Sequence, residues 1–198
     1  MCGRFLFSAE ENDEIRDIVN DVQRRYKRDE LNFVMAGDVH PTVSAPVLVA
    51  KDNRVIAELQ RWGLPRPQSS GYVINARAET ALERPMFRSS VLERRCVIAA
   101  NAFYEWDNAK YQYIFRPLNG GCLYMAGLFD RVEDVNCFVI LTTAANASMQ
   151  SIHDRMPLIL QREQVRPWLT EKDTTVQMLG MVPPLLDVAA VDGQMRMW

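Results

Sequence analysis

Pro46-Val-Leu-Val-Ala50 and Val55-Ile-Ala-Glu-Leu59, with Lys51-Asp-Asn-Arg54 between them, set the architecture expected of this chain. Both arms are rich in aliphatic and β-branched side chains, and the polar link holds Asp-Asn, residues that tolerate a tight turn. The pattern predicts a β-hairpin. Trp62-Gly63-Leu64-Pro65 ends its second arm, and Arg66 to Gly71 reads as a polar loop. Further strands are expected at Tyr72 to Asn75, Cys96 to Ala100, Tyr111 to Phe115, Cys122 to Leu128 and Cys137 to Thr143. Pro183-Pro184 precedes a tail suited to a last edge strand. The clearest helix runs from Ser8 to about Arg28: Ser8-Ala9-Glu10-Glu11 fits a capping box, and Ile15, Ile18, Val19, Val22 and Tyr26 share one face. Ala76 to Arg95 reads as helical turns broken at Pro85, Ser148 to His153 as a helical turn, and Gln164 to Leu169 as a short helix. Strands dominate, so the expectation is one α+β domain spanning residues 1–198.

Composition narrows the function classes. A chain of 198 residues with 48% hydrophobic and 24% charged residues can bury a globular core. It has no apolar run of membrane-spanning length and no signal-peptide core at its start, so a cytoplasmic location is expected. Cys2, Cys96, Cys122 and Cys137 show no CxxC spacing, which argues against a zinc site or a disulfide framework. The last three sit in apolar surroundings and read as core thiols. A net charge of −2 gives no global pull toward nucleic acid; any such site must be a local basic patch.

The chemistry is richest at Met1-Cys-Gly-Arg-Phe5. Removal of Met1 would leave Cys2 with a free α-amine, of reference pKa about 7.7–8.0, next to a thiol of about 8.5. Such an amine condenses with an aldehyde to a Schiff base, and the neighbouring thiol then closes a thiazolidine ring. Gly3 admits close approach, and Arg4 beside a nucleophile suits an anion. Four other polar sites stand among apolar residues. Asn75 either holds a strand end or orients a carbonyl or sugar oxygen, while Arg77 can fork onto phosphate and Glu79 is expected to pair with an arginine. Glu105, within Phe103-Tyr-Glu-Trp106, is either a desolvated proton carrier or the solvent face of a strand whose Tyr104 and Trp106 point inward. Trp106 is core or a stacking platform for a base. His153, followed by Asp154-Arg155-Met-Pro157, is the better of two histidines for acid–base work, though a structural histidine is the commoner case. Arg84, Arg88, Arg94 and Arg95 form a solvated face or a phosphate track.

Taken in order, Met1-Cys-Gly-Arg-Phe5, Trp62-Gly-Leu64, Asn75-Ala-Arg-Ala-Glu-Thr80, Arg95-Cys96, Phe103-Tyr-Glu-Trp106, Ala126-Gly-Leu128 and His153-Asp-Arg-Met-Pro157 resemble the landmarks of the SOS-response-associated peptidase (SRAP) family, from residue 2 to about Leu169. The resemblance implies a compact α+β fold with curved, mostly antiparallel sheets forming a barrel-like core. It implies capture of the aldehyde of an abasic site in single-stranded DNA as a thiazolidine on Cys2. Asn75 would orient the opened sugar or the amine, Glu105 would assist proton transfers, and His153 would help open the deoxyribose and reverse the cross-link. Gly3, Arg4, Pro41, Arg77, Arg84, Arg88, Trp106, Thr142 and Arg155 would contact the DNA. Neither a metal nor a cofactor is implied, and a monomer without a membrane partner is expected. The alternatives are a thiol peptidase cleaving its own Met1-Cys2 bond and a noncatalytic single-strand binder. The chain departs from the family pattern at Ala99, Ala102 and Asp107, and it lacks a second tryptophan within Leu64-Pro-Arg-Pro-Gln68.

Overall fold

The hairpin forms as expected, from β3 (Ser44–Lys51) to β4 (Arg54–Trp62), with Lys51 opposite Arg54 and the left-handed Asp52 and Asn53 (φ 49° and 59°) making the turn. A computed structural model describes residues 2–26, 36–66 and 69–191. Before the hairpin come β1 (Phe5–Ser8), α1 (Asp13–Arg25) and β2 (Ala36–Val39). After it come β5 (Leu64–Pro65), β6 (Tyr72–Val73), β7 (Asn75–Arg77), a 3-10 turn (Ala78–Thr80) and α2 (Pro85–Glu93). The strands β8 (Arg95–Ala100), β9 (Ala102–Trp106), β10 (Gln112–Pro117), β11 (Leu123–Val132) and β12 (Val135–Ala144) follow. The chain continues through β13 (Arg155–Pro157), β14 (Ile159–Leu160), α3 (Arg162–Thr170), α4 (Lys172–Met178) and β15 (Leu186–Ala190).

Strands β12, β4, β3, β8 and β11 are hydrogen-bonded in that order, and β11 pairs back onto β12, closing a five-stranded barrel. Only the β12–β4 contact within the ring is parallel. A second sheet, in the order β15-β10-β9-β1-β2, stacks on it. Strand alternation divides the core. Cys96, Ile98 and Ala100 face a cluster that includes Cys2, Phe5, Phe7, Trp62, Phe103 and Phe138. Val97 and Ala99 face the other way, into a cluster with Phe87, Val91, Val165 and Trp168 from α2 and α3. The fold is the α+β barrel with flanking helices that the family landmarks imply.

Two of those landmarks have a packing explanation. Trp62 is fully buried, stacked on Phe138 at 6.1 Å and tilted against Phe5 at 5.3 Å, and its Nε1 donates to Ile74 O at 3.0 Å. At Gly127 a Cβ would lie 2.6 Å from Ile98 Cδ1 and 2.9 Å from both Cys96 Sγ and Val139 O, so only glycine lets β11 approach its neighbours.

The first helix starts later than the capping-box pattern suggests. Asn12, in extended conformation, caps it by accepting from Glu14 N at 2.9 Å and Ile15 N at 3.2 Å. Ser8 instead ends β1, where its N–H donates to Asn101 Oδ1 at 2.6 Å. Burial of Phe5 and Phe7 on one face holds this segment as a strand. Ile15, Val19 and Val22 are buried as expected; Lys27 and Arg28 lie outside the described residues, as do Pro67 and Gln68 of the expected polar loop. Pro85 opens α2 at the first helical position, where its missing N–H costs nothing. The turn at Ser148 to His153 is built on Asn146 and Met149 carbonyls, and β15 is the expected edge strand, paired with β10. Among the described residues no helix is long and apolar enough to cross a membrane.

Candidate active site

Three elements converge on Cys2. β1 pairs antiparallel with β9, Phe5 opposite Phe103, and Tyr104 N donates to Arg4 O at 3.0 Å, so the chain before β1 runs beside Tyr104 to Trp106. β7 lies parallel to β12, with Asn75 opposite Ile140, and this aims the Asn75 side chain at the start of the chain. Asn75 Nδ2 donates to the Cys2 carbonyl at 2.9 Å, while its Oδ1 is enclosed with no hydrogen-bond partner among the described residues. Cys2 itself is 1% exposed.

Glu105 does not face solvent. It is 4% exposed, on the same side of β9 as fully buried Phe103, and its Oε1 accepts from Trp106 N at 3.2 Å. The solvent-face reading of Glu105 is therefore overturned, because the face of β9 that carries Glu105 also carries Phe103 into the core cluster and is covered by it. Tyr104 and Trp106 take the opposite face: Tyr104 is buried under the Arg4 guanidinium, 4.5 Å from its ring, and Trp106 is half-buried. Burial first, and then the negative charge of Glu105, push the Cys2 thiol up to about 12. The sulfur is held as a neutral thiol.

A second group gathers at the end of β12. Thr142 lies opposite Arg77 on one side and Pro157 on the other, and Ala144 lies opposite Arg155. Arg155 Nη1 and Nη2 fork onto the Glu79 carboxylate at 2.7 and 2.8 Å, and Nη2 also donates to Thr142 O at 2.6 Å. The expected arginine partner of Glu79 is thus Arg155, 76 positions away. Arg155 N donates to His153 Nδ1 at 2.9 Å, which places a neutral ring's proton on Nε2. Asp154 Oδ1 and Arg155 O also lie close to Nδ1, at 3.1 and 3.2 Å. Thr142 is buried, its hydroxyl 3.4 Å from Ala76 O.

The remaining residues expected to meet DNA fall into two sets. Gly3 and Pro41 are half-buried; Pro41 precedes Thr42, whose N–H donates to Trp62 O at 2.7 Å. Arg4 is ion-paired to Asp38 on the adjoining strand β2, a partner that nothing in the sequence singles out. Arg77, Arg84 and Arg88 are exposed, and their guanidiniums make no ion pair among the described residues. Arg84 and Arg88 sit at the start of α2, whose Phe87 and Val91 pack in the cluster that excludes Cys2.

The rest of the arginine series departs from a solvated face. Arg95 is buried, donating to Trp168 O at 2.7 Å and to Val91 O and Leu169 O at 3.0 Å, and it ties the end of α3 to α2. Arg94 pairs with Asp130. Cys96 and Cys137 are core thiols, whereas Cys122 is only partly enclosed. Asp107 organises the β9–β10 turn by accepting from Tyr111 N at 2.9 Å.

The model of a family described as SOS response associated peptidase (SRAP) matches residues 1–195. Among curated proteins, the chain is 33% identical over 195 residues to the abasic site processing protein YoqW of Bacillus subtilis, covering 88% of this chain and 82% of that protein. It is 29% identical over 181 residues to the abasic site processing protein YedK of Escherichia coli, covering 87% and 81%. Against HMCES of Xenopus tropicalis, also named an abasic site processing protein, identity is 32% over 194 residues, covering 75% and 58%. A crystal structure of a Bacteroides thetaiotaomicron protein shares the fold at a TM-score of 0.76 and 22% identity, covering 96% of this chain and 92% of that one.

Proposed function

The chain belongs to the SOS response associated peptidase (SRAP) family, and from that premise we propose that it processes abasic sites in DNA, trapping the lesion's aldehyde in single strands as a thiazolidine on Cys2. The observation that carries this reading is the enclosure of Cys2 between the Asn75 amide and the buried Glu105 carboxylate. Burial and the Glu105 charge hold the thiol protonated at neutral pH, whereas an α-amine of reference pKa about 7.7–8.0 is roughly a tenth neutral there. The amine therefore attacks first. Once Met1 is removed, the α-nitrogen of Cys2 adds to the C1′ aldehyde carbon, and loss of water leaves an imine. Sγ then bonds to the imine carbon while the thiol proton passes to nitrogen, with no net change in charge.

Glu105 is the group beside the sulfur suited to relay that proton, and Asn75 holds the Cys2 carbonyl so that the amine projects toward the sugar. His153 is assigned ring opening of the deoxyribose and protonation on reversal. Arg4, Arg77, Arg84, Arg88 and Arg155 are assigned to phosphates, with Gly3, Pro41, Thr142 and Trp106 against the strand. A thiol peptidase needs a thiolate at neutral pH, and the Cys2 environment acts in the opposite direction.

The test is intact-protein mass and denaturing electrophoresis after incubation with a single-stranded oligonucleotide carrying one abasic site. The processed protein is expected to give a stable adduct of protein plus oligonucleotide minus one water, and Cys2→Ala is expected to bind the strand without forming it. An equally stable adduct in Cys2→Ala would overturn the assignment.

A further inference from the structure

Two of the arginines assigned to phosphates are already held by carboxylates, and the two pairs differ in one respect. In the Arg4–Asp38 pair both side chains are largely enclosed, at 28% and 26% exposure, and they lie on paired strands. In the other pair Arg155 is 13% exposed and Glu79 is 44% exposed. Glu79 sits on the 3-10 turn, outside both sheets, and offers both oxygens to the two terminal nitrogens of Arg155. A phosphodiester presents two oxygens to a guanidinium in the same two-pronged way.

We infer that Glu79 is an internal stand-in for a DNA phosphate, occupying the fork of Arg155 until the strand displaces it. This rests on the proposed function, which brings a phosphate to Arg155. The difference in exposure identifies the partner that moves. The Glu79 carboxylate has water on one side and can leave into it, whereas the guanidinium stays anchored through Nη2 to Thr142 O at 2.6 Å. In the free protein the carboxylate compensates a nearly buried cation that would otherwise lack a counter-charge. The hydrogen bonds from Arg155 hold the Glu79 carboxyl below its ordinary range, so the stand-in is charged throughout neutral pH. Each phosphate that reaches Arg155 must break an existing ion pair, and this lowers affinity for strands that offer no aldehyde. Glu79 thereby favours release from undamaged DNA, while a lesion is retained by the covalent bond at Cys2. It is a residue that tunes binding without touching the reacting atoms.

The experiment uses fluorescence anisotropy with a lesion-free single-stranded oligonucleotide at low salt, so that no covalent step contributes. Glu79→Gln is expected to bind about two- to fivefold tighter, the fold-change matching loss of a partly exposed ion pair. In an Arg155→Gln background the same change is expected to have no effect. Glu79→Asp, which shortens the reach by one methylene, should show a smaller gain and serves as the readout if the Gln variant has a depressed melting temperature. Unchanged or weaker binding in both Glu79 variants overturns the inference. So does a gain that persists without Arg155, since removal of any negative charge would then account for it. No binding by the wild-type protein at any salt concentration would instead overturn the proposed function, and this inference with it.

Discussion

Replacing Arg95 by Met removes a buried cation that satisfies three carbonyls, and the structure allows the loss to be estimated. The guanidinium donates to Trp168 O, Val91 O and Leu169 O at 2.7–3.0 Å, and burial alone lowers its own pKa. A hydrogen bond from a charged donor is worth about 1.5–3 kcal/mol, so the gross loss is about 4–9 kcal/mol. Two of the acceptors are terminal carbonyls of α3, the negative end of a helix dipole, which adds to the attraction. Against this, Met no longer has to desolvate a charge, a refund of several kcal/mol. The expected net destabilisation is about 3–5 kcal/mol, to be read from urea unfolding at pH 7, with a fall in Tm of roughly 10 °C for a chain of this size. Arg95→Lys keeps the charge but cannot reach three carbonyls at once, and should lose about half as much. Affinity for single-stranded DNA at 15 °C should be unchanged in both variants. A Met variant within about 1 kcal/mol of wild type would refute this account of Arg95 as a structural residue.

Two further outcomes follow from the core. Burial raises the thiols of Cys2 and Cys122 to about 12 and that of Cys96 higher still, whereas the unfolded chain releases these protons near about 8.5. The folded state thus binds more protons above that pH, so stability is full below about pH 8.5 and falls as pH rises, by about 1.4 kcal/mol per pH unit for each thiol; a flat urea midpoint between pH 8 and 10 would contradict it. Gly127→Ala places a methyl 2.6 Å from Ile98 Cδ1 inside a closed barrel and should cost about 1–3 kcal/mol, visible as a lower thermal midpoint.

Apolar runs bounded by turn residues and the helical spacing of apolar side chains are local information, and they made the β3–β4 hairpin, the strands β8, β11 and β12 and the buried face of α1 readable from residue order alone. The ordered landmarks also pointed to Cys2, Asn75, Glu105 and His153 as one candidate set. What residue order could not convey was pairing at long range. β1 and β2 carry too few residues to declare themselves, and they form because Phe5 and Phe7 bury against residues far along the chain. The same limit applied to single side chains. Alternation around Glu105 fits both solvent and interior, and the packing of its face of β9, shared with Phe103, against the core cluster settles the matter. Arg95, in the basic series after Arg84, and Arg155, beside His153, carry the same charge and the same side chain in the sequence. One became a buried clasp for α3 and the other the partner of Glu79, since only the closed barrel brings residues 73 to 76 positions apart into contact. Charge and type are written in the sequence; whether a charge meets water, a carbonyl or an opposite charge is a property of the folded chain.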